Sequence, residues 1–523
     1  MARSRDPAID AELPWRGQWL VISAVVFLAL ALRLYQIGTE NLWNDEWLSL
    51  GDADQLRFYN RHRPLFFLVL HPWCRFLSIA GLLQAGDGWV RLLAVFFGIA
   101  AVVFFYLLAR RLAGAAVALV ASLIMVVAVP ELDHSQEVRM YTMASALTLA
   151  SFYLLVQWID SGRFGLLALH LLLTLLAVLT TPTVIGGLLL AGVMGAILIV
   201  RRRGWRGAIA MLIGYSLILA VWWPLSRYAW AAIKVGQLDW IPQAPRTALL
   251  LLHGELLSEG LGIVRNFQPS YPFQIVLSVL SFGLVAAALI GAWRSQAASR
   301  WTGFIAAWFY AIALGMYAIS LLSRPVWILR YFHYAAPALY LLLGIGIVYL
   351  WRWRRSAGWM AGATLLGMTS LAAADYYRLP MHENWRGAAA AVASEAAADD
   401  VVAIAGHSGL FNRYYRIYQG RGQIRQVIPR ISEGPQQTDA LLADLLGQIP
   451  AVKGRTWVVV REDPRFERVA YLKGFEHYLH ELGAVPRVRI FRAMQGQIDL
   501  IDFVLSVEIP TASAEPTPDM LTR

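Results

Sequence analysis

The chain has 523 residues, 58% hydrophobic and only 15% charged, and so much apolar surface cannot be hidden in one water-soluble core. Lipid must be part of its solvent. The formal charge of +11 comes from 45 Lys and Arg against 34 Asp and Glu, but these basic residues collect in short loops between apolar runs. That is membrane topology rather than a nucleic-acid footprint. The single cysteine, Cys74, excludes an intrachain disulfide and a cysteine-based metal site.

Apolar stretches near the roughly 20 residues needed to cross a bilayer begin at about Trp19, Val90, Ala115, Tyr141, Phe164, Thr183, Ala208, Tyr271, Thr302, Phe332 and Ala357. They predict about eleven spans. Arg3, Arg5 and Arg16 precede the first and no small-residue cleavage site follows it, so it reads as an uncleaved span with a cytoplasmic N-terminus. The stretch from Pro64 to Leu83 is also apolar, but His71, Pro72 and Arg75 interrupt it. If it crossed, Arg110 and Arg111 would lie outside and the acidic loop around Asp87 inside, inverting the usual bias. As an interfacial or re-entrant helix it resolves the pattern. Arg110 and Arg111, Arg163, Arg201 to Arg203 with Arg206, Arg294 with Arg300, and Arg352, Arg354 and Arg355 then all face the cytoplasm.

The same sidedness puts loops 36–88, 130–140, 225–270 and 322–331 of a transmembrane domain, residues 1–374, on the outer face. Residues 375–510, where hydrophobicity drops, follow on that face as an extracytoplasmic domain of ordinary size. Val401 to Gly406 and Thr456 to Val460 read as strands, Arg487 to Phe491 as a weaker one, and Ser432 to Leu446 and Arg465 to Leu482 as helices. Residues 511–523, rich in Thr, Ala, Pro and Ser, read as a disordered tail. The predicted class is an α-helical polytopic protein of the cell (inner or plasma) membrane with a small C-terminal α/β domain.

Four polar constellations sit on the predicted outer face. Asn41-Leu42-Trp43-Asn44-Asp45-Glu46-Trp47 sets two adjacent carboxylates among aromatics just beyond the first span. Such carboxylates can act as general base, as acceptors for sugar hydroxyls, or as metal ligands. Equally, Asn44 can cap a surface helix with Asp45 and Glu46 in its first turn, where the helix dipole favours negative charge. Arg61-His62-Arg63-Pro64 leads into the interfacial helix and can hold a phosphate or simply anchor at the headgroups. Asp133-His134-Ser135-Gln136-Glu137-Val138-Arg139-Met140-Tyr141 crowds polar groups at a span entrance, where they are costly unless used or paired. Ser323-Arg324-Pro325 and Arg330-Tyr331-Phe332-His333-Tyr334 place arginines against the cytoplasmic bias, explained by phosphate binding or by a partner carboxylate such as Glu137. Lys234 and Asp239-Trp240-Ile241-Pro242 add lone charges that solvent alone would satisfy.

In motif order these pieces resemble the GT-C class of membrane glycosyltransferases, in particular the branch of protein O-mannosyltransferases and aminoarabinose transferases. Asp45 and Glu46 match its first-loop acid pair, and Arg63-Pro64-Leu65-Phe66-Phe67 its proline-containing entry to a helix. Gln136-Glu137-Val138-Arg139-Met140-Tyr141 matches its Gln-Glu-Ala-Arg-x-Tyr type element, and Arg330-Tyr331 its late Arg-Tyr pair. Thr181-Pro182-Thr183 departs from the Thr-His-Tyr of many relatives, which leaves any contact of that His without an equivalent.

The resemblance implies transfer of a sugar from a polyprenyl-phosphate donor to a lipid, glycan or protein acceptor by inverting displacement. Asp45 would be the base, and Glu46 would orient the acceptor or join Asp45 in binding Mg or Mn. Arg63, His62, Asp133, Gln136, Glu137, Arg139, Tyr141, Arg330 and Tyr331 would bind the donor phosphate or substrate. Two other classes compete, a transporter of lipid-linked sugars and a membrane-anchored assembly scaffold. The charges gather at one face rather than mid-span, which disfavours transport. A scaffold would need only one span.

Overall fold

The structure is a computed structural model and describes residues 15–56, 63–234, 241, 243–264, 269–294, 299–323, 325–405, 409–427, 455–462, 487–492, 494 and 497–503. His62, Asp239, Arg324, the predicted helices Ser432 to Leu446 and Arg465 to Leu482, and the 511–523 tail lie outside the described residues. The chain divides into two compact units, one of Met1–Thr39 with Leu48–Arg378 and one of Glu40–Trp47 with Leu379–Arg523.

The first unit is helical. In chain order its helices are α1 (Trp15–Leu34), α2 (Asn44–Asp54, whose first turn belongs to the second unit), α3 (Pro64–Ile79), α4 (Leu82–Ala85), α5 (Gly88–Ala113), α6 (Ala115–Val127) and α7 (Val129–Asp133). Then follow α8 (Tyr141–Ser161), α9 (Phe164–Thr180), α10 (Ile185–Arg203), α11 (Trp205–Lys234), α12 (Ala248–Ser258), α13 (Tyr271–Arg294), α14 (Ser299–Leu322), α15 (Ala336–Trp353) and α16 (Arg355–Tyr376). Among the described residues eight helices are long and apolar enough to cross a membrane: α5, α8, α10, α11, α13, α14, α15 and α16. The other three predicted spans, α1, α6 and α9, are helices at the expected places but with shorter apolar runs.

Large apolar side chains stand exposed along several of these helices, such as Phe27 (74%), Leu212 (68%) and Val279 (66%). In water such surface would aggregate, whereas in hydrocarbon it is the wetted face, so this is a multi-pass membrane protein. Between the helices lipid supplies no hydrophobic drive, and close backbone approach does the work. On α15, Gly344 lies where a Cβ would come within 3.0 Å of the Ala121 methyl and 3.2 Å of the Val117 carbonyl of α6, and Gly346 abuts the Leu284 carbonyl of α13. Gly162 takes a φ of +70° to end α8 and turn the chain into α9. Arg111 of α5 donates to Asp160 of α8 (3.0 Å), so these two helices end together, as the arginine pattern predicts.

The second unit contains α17 (Trp385–Glu395), β1 (Val401–Ala405), α18 (Gly409–Ile417), β2 (Gln423–Val427), β3 (Thr456–Glu462), β4 (Arg487–Arg492) and β5 (Gln497–Phe503). The sheet order is β2-β1-β3-β5-β4. β1 pairs in parallel with both β2 and β3, aligning Val402 with Ile424 and with Trp457. β5 runs antiparallel between β3 and β4, setting Ile501 opposite Val458 and Val488. Val401, Val402, Ile404, Trp457 and Val459 are fully buried in it. The Asn384 side chain accepts the Gly387 N–H (2.8 Å) and starts α17. The Asp400 carboxylate accepts from the amides of Ala397 (3.0 Å) and Arg455 (2.8 Å) and from the Trp457 indole (2.9 Å), tying the start of β1 to β3.

Candidate active site

In the helical unit the loop between α6 and α8 is the most polar segment, and nearly all of it is buried, from Glu131 through Val138. A buried loop is stable only if its polar groups find partners inside. Arg33, at the end of α1 and fully buried, donates through Nε to Ser135 Oγ (3.0 Å), and Ser135 donates on to the Glu131 carbonyl (2.6 Å). Gln136 donates to the carbonyls of Arg33 (2.9 Å) and Tyr35 (2.8 Å) and accepts from the Tyr376 hydroxyl (3.1 Å). Gly98 of α5 leaves the room for this, since a Cβ there would lie 2.5 Å from Ser135 Oγ and 3.2 Å from Arg33 Nε.

The same loop brings acid and imidazole together. His134 Nδ1 is 2.6 Å from Glu137 Oε1 and 4.0 Å from Asp133 Oδ2, and oxygens of Asp133 and Glu137 lie within 4.8 Å of each other. Burial lowers the affinity of His134 for its proton, but the Glu137 carboxylate and then Asp133 outweigh it and raise the pKa to about 9. The ring is therefore an imidazolium at neutral pH and offsets one of the two negative charges beside it. It packs against Tyr141 (4.6 Å between centroids) and edge-on against His333 (4.6 Å, 89°). His333 goes the other way, its pKa held well below 6.5 by burial and then by the positive charges of His134 and Arg33. Burial pushes Glu131, 3.6 Å from His333 Nδ1, up to about 7, with Arg33 and His134 restraining the rise.

Three of the predicted arginines act electrostatically on one phenol. Arg63 immediately precedes α3, Arg139 closes the α7–α8 loop and donates to Ser49 Oγ (3.0 Å), and Arg330 lies in the 3-10 turn Leu329–Phe332. The pKa of the partly buried Tyr331 hydroxyl is raised by burial and by Tyr141, while Arg330, Arg63 and Arg139 pull it down. Cationic groups from three separate segments thus act on one spot, where an anion would be stabilised.

Asp45 and Glu46 belong to the other unit. The Trp47 N–H donates to the Trp43 carbonyl (3.0 Å), so Trp43 rather than Asn44 holds the cap position of α2. The buried Glu46 carboxylate reaches back to accept the Trp43 N–H (3.2 Å), which is one half of a capping box. Asp45 is half-exposed in the first turn. Among the described residues Asp45 and Glu46 gather no third His, Cys, Asp or Glu ligand. One Glu46 oxygen is committed to the helix start. Thr181 and Thr183, where relatives have Thr-His-Tyr, stand 3.1 Å apart through their hydroxyls at a 3-10 turn.

Arg33 and Glu131 escape the sequence reading, and His333 falls within the Arg330 to Tyr334 constellation without being given a role there. The signal for Arg33 was present: by the predicted sidedness it lies at the outer end of the first span, the same anomaly that marks Arg330. Glu131 lies beside a predicted motif, at Pro130-Glu131, and its burial distinguishes it.

No family model matches the chain, and no curated protein matches its sequence. Solved structures do. ArnT from Cupriavidus metallidurans bound to undecaprenyl phosphate is 13% identical, with a TM-score of 0.48 over 93% of this chain and 98% of that one. The archaeal oligosaccharyltransferase AglB from Archaeoglobus fulgidus, in complex with an inhibitory peptide and a dolichol-phosphate, is 10% identical with a TM-score of 0.49, covering 86% of this chain and 70% of that one. The Archaeoglobus fulgidus oligosaccharyltransferase complex with Zn and sulfate is 10% identical with a TM-score of 0.47, covering 84% and 67%.

Proposed function

We propose that this protein is a membrane glycosyltransferase that moves a sugar from a polyprenyl-phosphate donor to a lipid, glycan or protein acceptor on the extracytoplasmic face. The observation that carries this reading is that three separate segments of one lipid-exposed helical unit bring Arg63, Arg139 and Arg330, each with a buried guanidinium nitrogen, within electrostatic range of Tyr331. A leaving polyprenyl phosphate develops negative charge as the glycosidic bond breaks, and fixed cations at low dielectric stabilise that charge without reorganising. A lipid-linked donor reaches such a site by sliding between helices. The motif resemblance, which includes these arginines together with Asp45 and Glu46, supports the same chemistry.

In this reading Asp45 accepts the proton of the acceptor hydroxyl as it attacks the anomeric carbon, and the phosphate departs toward the arginines. Glu46 sets the start of α2 and so serves orientation. The protonated His134 between Asp133 and Glu137 offsets one of the two negative charges there and so lessens their repulsion of the donor phosphate. Gln136 and Tyr141 position the loop. No step is routed through a metal ion.

The test begins with mass spectrometry of surface glycans and lipids from cells lacking the protein, which identifies the missing product. Complementation with Asp45→Asn should then lower the rate of its formation roughly 100- to 10,000-fold. Arg139→Ala and Arg330→Ala should each weaken binding of undecaprenyl phosphate to purified protein roughly ten- to a hundredfold, the range for hydrogen bonds to charged groups. Unchanged glycans and lipids in the deleted cells, together with unchanged binding in both arginine variants, would sink the proposal.

A further inference from the structure

The acid-bearing segment of the first loop, Glu40–Trp47, folds as part of the C-terminal unit. One Glu40 oxygen accepts the Met381 N–H and the other is 2.9 Å from His382 Nδ1. The His382 ring stacks on Trp43 with centroids 4.7 Å apart and planes at 23°. Asn41 donates to the Glu383 carbonyl (2.9 Å), and the Leu42 N–H donates to the Tyr414 hydroxyl of α18 (2.8 Å). Gly409, the first residue of α18, abuts the Trp47 indole so closely that a Cβ would collide with it. Asn41, Leu42 and Trp43 are buried as a result.

These contacts end where α2 begins. Trp43 is the cap residue of α2, and Glu46 bonds back to its amide, so whatever fixes Glu40 to Trp43 also fixes the entry angle of the helix. Asp45 lies in its first turn, and a helix turn is rigid enough to pass that orientation directly to the carboxylate. We propose that the C-terminal unit is a positioning device for the Asp45 carboxylate, with Tyr414, His382 and Glu40 as the positioning residues. This rests on the reading of Asp45 as the base. A module that merely recruited an acceptor would need to be tethered behind the last helix, but it would have no reason to bury a segment some 340 positions upstream through side-chain contacts such as Asn41 with Glu383. Displacing a reacting group by about an ångström costs on the order of a hundredfold in rate, so small losses of contact here should be visible in catalysis.

The experiment uses the full-length protein in its membrane, with Tyr414→Phe and Glu40→Gln as separate variants. Tyr414→Phe keeps the ring and removes only the acceptor for the Leu42 N–H, and Glu40→Gln weakens the link to His382 should the first variant fold poorly. Hydrogen exchange of the peptide spanning residues 40–47 and the initial rate of product formation in washed membranes across the pH range are both measured. The expected result is faster exchange in 40–47 with the β1 and β3 peptides unchanged, a rate about tenfold or more lower at matched protein, and a moved acid limb of the pH profile. A merely structural role would lower the amount of folded protein without moving that limb. Unchanged exchange, or faster exchange with wild-type rate and acid limb, would overturn the positioning role while Asp45→Asn remained inactive. Wild-type activity of Asp45→Asn would overturn the base assignment itself, and the positioning role with it.

Discussion

The protonation of His134 is the most exposed claim about the buried loop. Its pKa is raised from 6.5 to about 9, and Glu137 at 2.6 Å is the main group that raises it. At about 1.36 kcal/mol per unit, that shift corresponds to about 3 kcal/mol of folding free energy. The sign follows from the direction. Because the folded pKa lies above the unfolded one, the contribution is complete below pH 6.5 and is lost as the pH rises through about 9. Replacing Glu137 by Gln keeps the shape and a hydrogen-bond partner but removes the charge, so the His134 pKa should fall from about 9 back toward its ordinary value, with Asp133 still opposing burial. Isotope-labelled histidine followed by NMR titration in nanodiscs, with His134→Asn to assign the resonance, measures this directly. In parallel, the wild-type melting temperature should fall between pH 6.5 and 9 while that of Glu137→Gln falls less. A wild-type His134 midpoint at or below 6.5, or one unmoved by Glu137→Gln, would show that the imidazolium does not exist at neutral pH and that Asp133 and Glu137 are balanced some other way.

Two further outcomes follow from packing and hydrogen bonding. Gly98→Ala should destabilise the helical unit by about 1–3 kcal/mol through overpacking against Ser135 Oγ at 2.5 Å, and Gly98→Ala combined with Ser135→Ala should recover part of the loss; thermal unfolding of the four proteins in a double-mutant cycle reads both. In the C-terminal unit the hydrogen bonds from Trp457, Arg455 and Ala397 overcome the effect of burial and hold the Asp400 carboxyl below its usual 3.8, so its contribution is present above that pH and is lost as acid protonates it. Asp400→Ala should cost about 3 kcal/mol at neutral pH and abolish that part of the acid dependence, as followed by exchange of β1 and β3 amides.

Helix positions were legible because hydrocarbon imposes a simple rule: every apolar run of sufficient length must become a helix with its backbone bonds closed internally. All eleven predicted spans are helices, and the segment from Pro64, set apart by its charges, is a shorter helix of its own. In the soluble unit the β-branched runs of β1 and β3 were visible, whereas β2 (Gln-Ile-Arg-Gln-Val) and β5 (Gln-Ile-Asp-Leu-Ile-Asp-Phe) were not. β2 is an edge strand, and β5 is held by two antiparallel neighbours, so pairing rather than residue propensity makes them strands.

The residues of the candidate site divide the same way. Sequence singled out the candidate segments, because charged groups beside apolar spans are costly unless used or paired, and that picked Asp45, Glu137, Arg139 and Arg330 one by one. Only the tertiary structure decided their partners. It set Arg33 and Gly98 behind Ser135, gave two edge-to-face histidines opposite protonation, and brought Arg63, Arg139 and Arg330 within electrostatic range of Tyr331. It also assigned Glu40–Trp47 to the C-terminal unit. Hydropathy is a property of a residue and its near neighbours, and can be read along a chain. The shift of a pKa or the aim of a carboxylate depends on groups hundreds of positions away, and those distances exist only once the chain has folded.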